Sequence, residues 1–157
     1  MNNTKLSIFG RESAIRFCQK KHDYETVIIS ISTPDVDYEE SPFISDENKV
    51  TEILGLSFCD ADYPNTKDVY GKITSESELM NDEDADRVVK FTEKHIGKHI
   101  IVHCDAGISR SSGVAAAILK HYNGDDSAVF DSRWYAPNRW CYRKVLEAFE
   151  RLSDNET

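Results

Sequence analysis

A β-branched run that meets a helical run across a very short connection constrains the fold of this chain more than any other feature. Residues 100–103 predict a buried strand, and the apolar run at 114–119 predicts a buried helix that begins near Arg110 and extends to 122. The chain between Cys104 and Arg110 must therefore turn sharply. A strand joined to a helix in this way is the repeating unit of α/β folds.

The turn between Cys104 and Arg110 has the composition of an anion site. Its amide groups are predicted to point inward at the positive end of a helix dipole, where N–H donors hold an oxyanion such as phosphate. Gly107 supplies the backbone freedom that the turn demands, and Arg110 adds a planar, permanently charged fork that can bind two oxygens at once. The predicted phosphate-binding groups are those of Asp105, Ala106, Gly107, Ile108, Ser109 and Arg110.

Cys104 is predicted to be the nucleophile of this site. The positive field that holds an oxyanion also stabilises a thiolate, so we expect Cys104 to be ionised and reactive at neutral pH. The alternative is a buried cysteine beside an ordinary strand–helix turn. A cysteine kept only for packing would not need an arginine and a glycine in this register.

The segment resembles the signature loop of the cysteine-dependent protein tyrosine phosphatases, in which five residues separate a cysteine from an arginine. It is most similar to the dual-specificity branch, whose pattern His-Cys-x-Ala-Gly-x-Ser-Arg-Ser is matched by His103, Cys104, Ala106, Gly107, Ser109, Arg110 and Ser111. The match is specific over 100–114 and only topological elsewhere. It implies a phosphoric monoester hydrolase that forms a cysteinyl-phosphate, with no metal and no other cofactor.

Three aspartates are candidates for the general acid of such a reaction. The leaving oxygen needs a proton, and the same carboxyl serves as base when water attacks the cysteinyl-phosphate. By resemblance this acid follows the third strand, so Asp60 is the first choice, Asp62 the second and Asp68 the third. The connection that follows is longer than the resemblance implies. The alternative, that these acids only solvate a loop, therefore stays open.

Two further side chains acquire roles through the resemblance. Ser111 is implied to bond the Cys104 sulfur and to ease its departure in the second step, although it could also serve as an ordinary residue at a helix N-terminus. His103 is implied to orient the loop or to tune the thiolate through hydrogen bonds, without relaying protons.

Alternating apolar patterns predict an α/β fold with a mostly parallel central sheet of about four to five strands flanked by helices, as in the tyrosine phosphatases, in one domain spanning 1–157. The predicted strands are 6–9, 24–32, 50–58 and 100–103. The predicted helices are 10–21, 81–97, 110–122, 127–130 and a last one that starts at Pro137. Residues 33–49 are predicted to be a loop. Residues 59–80 form a long polar connection, which we interpret as a moving flap.

Composition narrows the function further. The net charge of −9 over 157 residues argues against binding nucleic acid or an anionic membrane through bulk charge. The four cysteines have no paired spacing, and the N-terminus does not resemble a signal peptide, so we expect a reducing, cytoplasmic setting. No apolar run is long enough to span a bilayer. We expect a monomer.

Three other features allow competing interpretations. His95, His99 and His103 recur every four residues, as zinc ligands on a helix would, but Gly97 and the strand-like run interrupt that helix. Cys59 invites a redox role, although a cysteine in the core is the commoner situation. The aromatic residues at 133–139 could rim the pocket, and we favour instead that they pack the last helix onto the body of the domain.

The sequence thus predicts a phosphoprotein phosphatase that hydrolyses phosphotyrosine, and also phosphoserine or phosphothreonine, with Cys104, Arg110, Asp60 and Ser111 as catalytic residues. The partner is a phosphorylated protein or peptide, and the loop would also bind phosphate or another oxyanion. The alternatives are a silent phosphopeptide-binding module and a phosphatase acting on RNA 5′-triphosphate or phosphoinositide. Lipid phosphatases of the superfamily that this loop resembles usually carry lysines inside the loop, whereas this chain has Asp105 there. That difference argues against a highly anionic inositol headgroup as the substrate.

Overall fold

The computed structural model of the chain describes residues 5–38, 43 and 49–155. In chain order its elements are β1 Lys5–Gly10, α1 Arg11–Cys18, β2 Thr26–Ser32, β3 Val50–Ser57, α2 Asp82–Lys94, β4 His99–Cys104, α3 Arg110–Asn123, α4 Ser127–Phe130 and α5 Arg139–Asn155. A single 3₁₀ turn at Glu76–Glu78 precedes α2 among the described residues. No helix in these ranges has the length and apolar character needed to cross a membrane.

The strands form a parallel sheet in the order β1-β4-β2-β3. This confirms the predicted α/β class and the mostly parallel sheet flanked by helices. All residues of β4 are buried, as are those of β2 up to its last residue, because helices cover both faces of the centre of the sheet. In a parallel sheet the carboxyl ends of the strands lie along one edge. The register pairs Gly10 with Cys104 at that edge, where ligands of α/β proteins commonly bind.

The two faces of the sheet bury two separate apolar clusters. Ile100, Val102 and Cys104 of β4 pack with residues of α2, α3 and α5, whereas Ile101 packs on the opposite face with Ala14 and Cys18 of α1. This alternation follows from the two-residue period of a strand. The predicted buried helix is confirmed: residues 110–118 of α3 are all buried, and its run of alanines allows a close approach to the sheet.

Element boundaries differ from the prediction by more than one residue at the start of β2, which begins at Thr26 and not at 24, and at three helix ends. The predicted helix at 81–97 ends as α2 at Lys94, with His95 as its C-cap. The predicted first helix extends to 21, but α1 ends at Cys18, because residues 19–21 are polar and exposed and no burial against the sheet stabilises a further turn. The last helix begins at Arg139 and not at Pro137, because Asn138 caps it: the Asn138 Oδ1 accepts a hydrogen bond from the Cys141 amide at 2.9 Å. Of the predicted loop at 33–49, residues 39–42 and 44–48 lie outside the described residues.

The connection between β3 and α2, residues 58–81, has a defined structure of its own. An antiparallel bridge joins Lys67 to Ile73, and the Asn65 amide donates to the Thr74 carbonyl at 2.7 Å. Its distal end carries Val69 and Tyr70, each 92% exposed, while Leu79 and Met80 at its base are buried in the core. The flap interpretation stays a prediction for this connection, which is anchored at its base and exposed at its tip.

Candidate active site

The loop that joins β4 to α3, residues 104–110, is seated directly on the end of β1. The φ angle of Gly107 is +74°, and a Cβ atom at this position would lie 2.4 Å from the Gly10 nitrogen. The Arg11 amide donates to the Asp105 carbonyl at 3.1 Å. Gly107 therefore meets two demands, a left-handed backbone and close contact with β1, that no residue with a side chain satisfies together.

Substitution of Gly107 by alanine is expected to destabilise the protein by more than about 2 kcal/mol, because the left-handed conformation costs roughly 1–2 kcal/mol before the clash with β1 is added. Gly124 is a matched control, since its φ is +72° but a Cβ there has nothing within 4 Å. Chemical denaturation of both variants separates conformational strain from the clash. Equal losses for Gly107→Ala and Gly124→Ala would contradict the close seating of the loop on β1.

The Cys104 sulfur lies at the base of this loop and is surrounded by potential donors. Cys104 is 3% exposed. The Gly107 amide donates to Sγ at 3.3 Å, and the Ser111 Oγ lies 3.2 Å from it. The Gly107 amide and the Ser111 hydroxyl thus both lie within hydrogen-bonding distance of the sulfur.

His103, which precedes the cysteine, contributes to the backbone of the loop and not to its charge. Its Nδ1 lies 3.2 Å from the Cys104 carbonyl, which can only accept a hydrogen bond, so Nδ1 carries the proton. Burial lowers the pKa of His103, which keeps the ring neutral at pH 7. These observations agree with the orienting role that the resemblance implies.

Arg110 begins α3 and points back under the loop. Its side chain is only 7% exposed. Nη1 donates to the Phe58 carbonyl at 2.9 Å, and Nη2 donates to the Asp105 carboxylate at 3.1 Å. Among the described residues Nε has no partner. The guanidinium is thus held at both terminal nitrogens, and its buried Nε–H is left unpaired, as in a candidate anion-binding group.

Asp60 contacts the loop at 104–110 directly. Its Oδ1 accepts hydrogen bonds from the Ser109 hydroxyl at 2.9 Å and from the Asn138 side-chain amide at 2.7 Å. Ser109 belongs to the loop at 104–110, the candidate phosphate loop, so Asp60 is a neighbour of the candidate site although it is distant in sequence.

The other two aspartates have different partners. The Asp62 carboxylate accepts from the Arg139 amide at 2.9 Å and so stabilises the start of α5. The Asp68 carboxylate accepts from the Tyr70 and Lys72 amides, each at 2.8 Å, inside its own turn. Of the three candidate acids, Asp60 is thus the one for which a bond to the phosphate loop is found.

Comparison with known proteins was made by sequence and by structure. No family model matches the chain, and no curated protein matches it either. Solved structures do. The human tyrosine phosphatase-like serine/threonine/tyrosine-interacting protein is 21% identical, with a TM-score of 0.58 over 94% of this chain and 92% of that one. PTPMT1, crystallised with PI(5)P, is 13% identical, with a TM-score of 0.55 over 98% and 95%. Human DUSP28 is 18% identical, with a TM-score of 0.51 over 96% and 94%.

These neighbours are all of the tyrosine phosphatase and dual-specificity type. The chain has the fold of the cysteine-dependent protein tyrosine phosphatases. In this phosphatase fold β4, which ends in Cys104, is flanked by β1 and β2. The loop whose sequence resembles the phosphatase signature follows β4 at the carboxyl edge of the sheet.

Asn138 contacts the candidate site of this phosphatase fold, a role that no sequence pattern predicted. It is 1% exposed. Besides its bond to Asp60, its amide nitrogen Nδ2 donates to the Ala61 carbonyl at 3.1 Å, and its backbone N–H donates to the Ser109 carbonyl at 2.9 Å. The only signal was Pro137-Asn138, which predicted a helix start. The contact of the Asn138 side chain with Asp60 joins segments that are far apart in the sequence, so no local pattern predicts it.

Gly113 makes the docking of that segment possible. A Cβ on Gly113 would lie 2.4 Å from the Asn138 carbonyl oxygen. The Ala136 amide also donates to the Ile108 carbonyl at 3.0 Å. The stretch at 133–139 therefore contacts the phosphate loop through its backbone, whereas the Trp134 side chain is 71% exposed. The interpretation of this stretch as packing for the last helix is incomplete, because it also supports the loop.

A cleft of about 380 Å³ opens beside the loop. Ser109 contributes from the loop at 104–110, and the other lining residues belong to the connection at 58–81. The lining residues are Asp60, Ala61, Asp62, Tyr63, Thr66, Lys67, Asp68, Lys72, Thr74 and Ser109.

The three histidines considered as metal ligands have separate partners. His95 bonds Glu52 at 2.5 Å, His99 bonds Ser7 at 2.8 Å, and His103 bonds the Cys104 carbonyl. Within residues 5–38, 43 and 49–155, no group of three or more potential ligands is found that could hold a metal ion.

All four cysteines are unbridged thiols. Cys59 is half-buried and packs against the larger apolar cluster, as the structural interpretation of it predicts. Burial raises the pKa of the Cys141 thiol well above its usual range, so Cys141 stays protonated within the core.

Proposed function

We propose that this chain is a phosphoprotein phosphatase that hydrolyses phosphotyrosine, and also phosphoserine or phosphothreonine, through a cysteinyl-phosphate intermediate. One observation carries the proposal: a buried cysteine sulfur that accepts a loop amide lies in the same loop as a buried arginine whose Nε is unpaired among the described residues. The fold shared with tyrosine phosphatase-like proteins supports it.

The first step is attack of the Cys104 thiolate on phosphorus. An S–P bond forms, the P–O bond to the substrate breaks, and Asp60 gives its proton to the departing oxygen. The loop amides and Arg110 bind the remaining phosphoryl oxygens. Charge stabilisation and positioning of this kind supply most of the catalysis in phosphoryl transfer. The bond between Asp60 and Ser109 supports a carboxyl held beside the leaving oxygen.

The second step is attack of water on the cysteinyl-phosphate. The Asp60 carboxylate takes a proton from the water, an O–P bond forms, and the S–P bond breaks with return of the electron pair to sulfur. Ser111 then donates a hydrogen bond to the Cys104 sulfur as negative charge develops there. The distance of 3.2 Å between Ser111 Oγ and Sγ supports this role. Inorganic phosphate leaves and the thiolate is regenerated.

The substrate class follows from the charges of the site. The protein as a whole repels anions, since its net charge is −9. An anionic substrate must therefore be attracted locally, by the amides and the arginine of the loop at 104–110. The Asp105 carboxylate at the loop disfavours a substrate that carries several phosphates close together. A cleft of about 380 Å³ beside Ser109 offers room for the phosphorylated side chain of a protein.

The general acid is tested by comparing two substrates that differ in their need for a proton. We expect Asp60→Asn to lower kcat for phenyl phosphate by about 10²-fold or more, and to affect 4-nitrophenyl phosphate much less, because the nitro group stabilises the leaving anion. Asp62→Asn and Asp68→Asn are matched controls. They are expected to leave the ratio of the two rates unchanged, since their carboxylates bond backbone amides elsewhere.

Three results would change the proposal. A substrate-dependent loss with Asp62→Asn instead of Asp60→Asn would show that Asp62, and not Asp60, is the general acid. Binding of a phosphotyrosine peptide without turnover by the wild-type protein would favour a binding module. Faster hydrolysis of PI(5)P than of phosphotyrosine, phosphoserine and phosphothreonine peptides would replace the protein substrate by a phosphoinositide.

A further inference from the structure

Asp105 joins the phosphate loop to the segment that follows β2. Its Oδ2 accepts a hydrogen bond from the Thr33 hydroxyl at 2.7 Å, and its two oxygens lie 2.9 and 3.0 Å from the Tyr38 hydroxyl. The same Oδ2 accepts from Arg110 Nη2 at 3.1 Å. One carboxylate thus connects a buried catalytic arginine with two hydroxyl groups that are more than sixty residues away in sequence.

Tyr38 is itself held in place from two sides. The Thr33 amide donates to the Tyr38 hydroxyl oxygen at 2.9 Å, which closes the segment on itself. The Arg11 guanidinium lies 4.3 Å from the centre of the Tyr38 ring, while the Arg11 amide donates to the Asp105 carbonyl. Both the backbone and the side chain of Asp105 are therefore anchored by the same neighbourhood.

The electrostatics of the group keep it charged. Partial burial alone would raise the pKa of Asp105, but the hydrogen bonds from Thr33 and Tyr38 and the charge of Arg110 outweigh burial and place this pKa below its ordinary value. Asp105 is an anion at neutral pH. The Asp105 side chain is 39% exposed and the Arg110 side chain is 7% exposed. Asp105 thus connects hydroxyl groups at the surface with the buried guanidinium.

We propose that Asp105, anchored by Thr33 and Tyr38, is a positioning residue that fixes the Arg110 guanidinium before the phosphate monoester binds. With Nη1 on the Phe58 carbonyl and Nη2 on Asp105, the plane of the guanidinium is set, and its ordering no longer opposes substrate binding. We assign the phosphoryl oxygen to Nε, which has no hydrogen-bond partner among the described residues. This inference rests on the proposed function, because it assigns Arg110 to the binding of that phosphoryl group.

The test removes the hydroxyl groups and leaves the charges intact. Tyr38→Phe and Thr33→Val are each expected to weaken tungstate binding, measured by calorimetry, by about three- to tenfold and to lower kcat/KM for 4-nitrophenyl phosphate similarly. Thr33→Ser keeps the donor and is expected to restore both values. Tyr24→Phe is the matched control, because Tyr24 lies by His99 at the opposite end of β4. Unchanged tungstate affinity in both Tyr38→Phe and Thr33→Val would overturn the proposal.

A double-mutant cycle separates positioning from a general structural role. In the Asp105→Ala background, Tyr38→Phe is expected to have less than about a twofold further effect on tungstate binding, because the partner of the hydroxyl is gone. A loss as large as in the wild-type background would overturn the proposal. If Asp105→Ala does not fold, Asp105→Asn takes its place, and the Tyr38→Phe effect must then fall by at least about half, since the charged acceptor is absent.

The two proposals fail in different ways. A wild-type protein that binds tungstate without hydrolysing any phosphate monoester would refute the phosphatase activity, and the binding measurements would still decide the role of Asp105. A protein that hydrolyses the substrates but is indifferent to Thr33 and Tyr38 would refute the role of Asp105 alone. Absence of tungstate binding by the wild type would refute both.

Discussion

Replacement of Cys104 by serine is expected to lower kcat for 4-nitrophenyl phosphate by at least about 10³-fold, because a serine hydroxyl without an adjacent base is a much weaker nucleophile than a thiolate. His103 is not placed to act as that base, because its Nδ1 bonds the backbone carbonyl of residue 104 and its Nε2 has no hydrogen-bond partner among the described residues. Steady-state hydrolysis of the aryl phosphate, with folding verified by circular dichroism, measures the effect.

The same substitution is expected to preserve oxyanion binding within about tenfold, since the loop amides and Arg110 remain in place. Tungstate titration of Cys104→Ser tests this point. Cys59→Ser is the matched control: Cys59 packs against the core at the end of β3, and its loss should leave hydrolysis nearly unchanged. Residual activity above about one tenth of the wild-type rate in Cys104→Ser would contradict a covalent role for this sulfur.

Replacement of Arg110 by lysine is expected to lower kcat/KM by about 10²- to 10³-fold, the range found when one donor that stabilises an oxyanion is removed. The charge is retained in this variant, so the loss would come from geometry. An ammonium group cannot bond the Phe58 carbonyl and the Asp105 carboxylate and still present an Nε–H to the phosphoryl group. Tungstate affinity is expected to fall by about 10- to 100-fold in parallel.

A second arginine provides the control for this result. Arg87 on α2 also donates from Nη2 to a carbonyl of the β3 strand, that of Gly55 at 3.3 Å, but it is exposed, and no hydrogen bond joins it to the loop at 104–110 among the described residues. Arg87→Lys should leave both kcat/KM and tungstate affinity within about twofold of the wild type. Equal effects of the two arginine-to-lysine changes would show that Arg110 supports the fold and does not bind the phosphoryl group.

Local sequence was sufficient to predict the strand-turn-helix conformation around residues 104–110, because that unit is built from neighbours in the chain. The strand at 99–104, the turn with Gly107 and the helix from Arg110 are contiguous, and each is dictated by short-range pattern and backbone stereochemistry. The same holds for the Asn81 cap, whose Oδ1 accepts the Asp84 amide at 2.8 Å. The four parallel strands also follow from alternating strand and helix patterns.

Contacts between distant segments were decided by tertiary structure alone. Sequence could rank Asp60, Asp62 and Asp68 only by their distance from a strand, and packing of α5 then placed Asn138 against Asp60. In the same way Asp105 was predicted for its amide, while its carboxylate acquired Thr33, Tyr38 and Arg110 as partners. The packing of the helices on the sheet decides which side chains meet over such separations. Neither the residue types nor the periodicity of the sequence indicates which of them will be in contact.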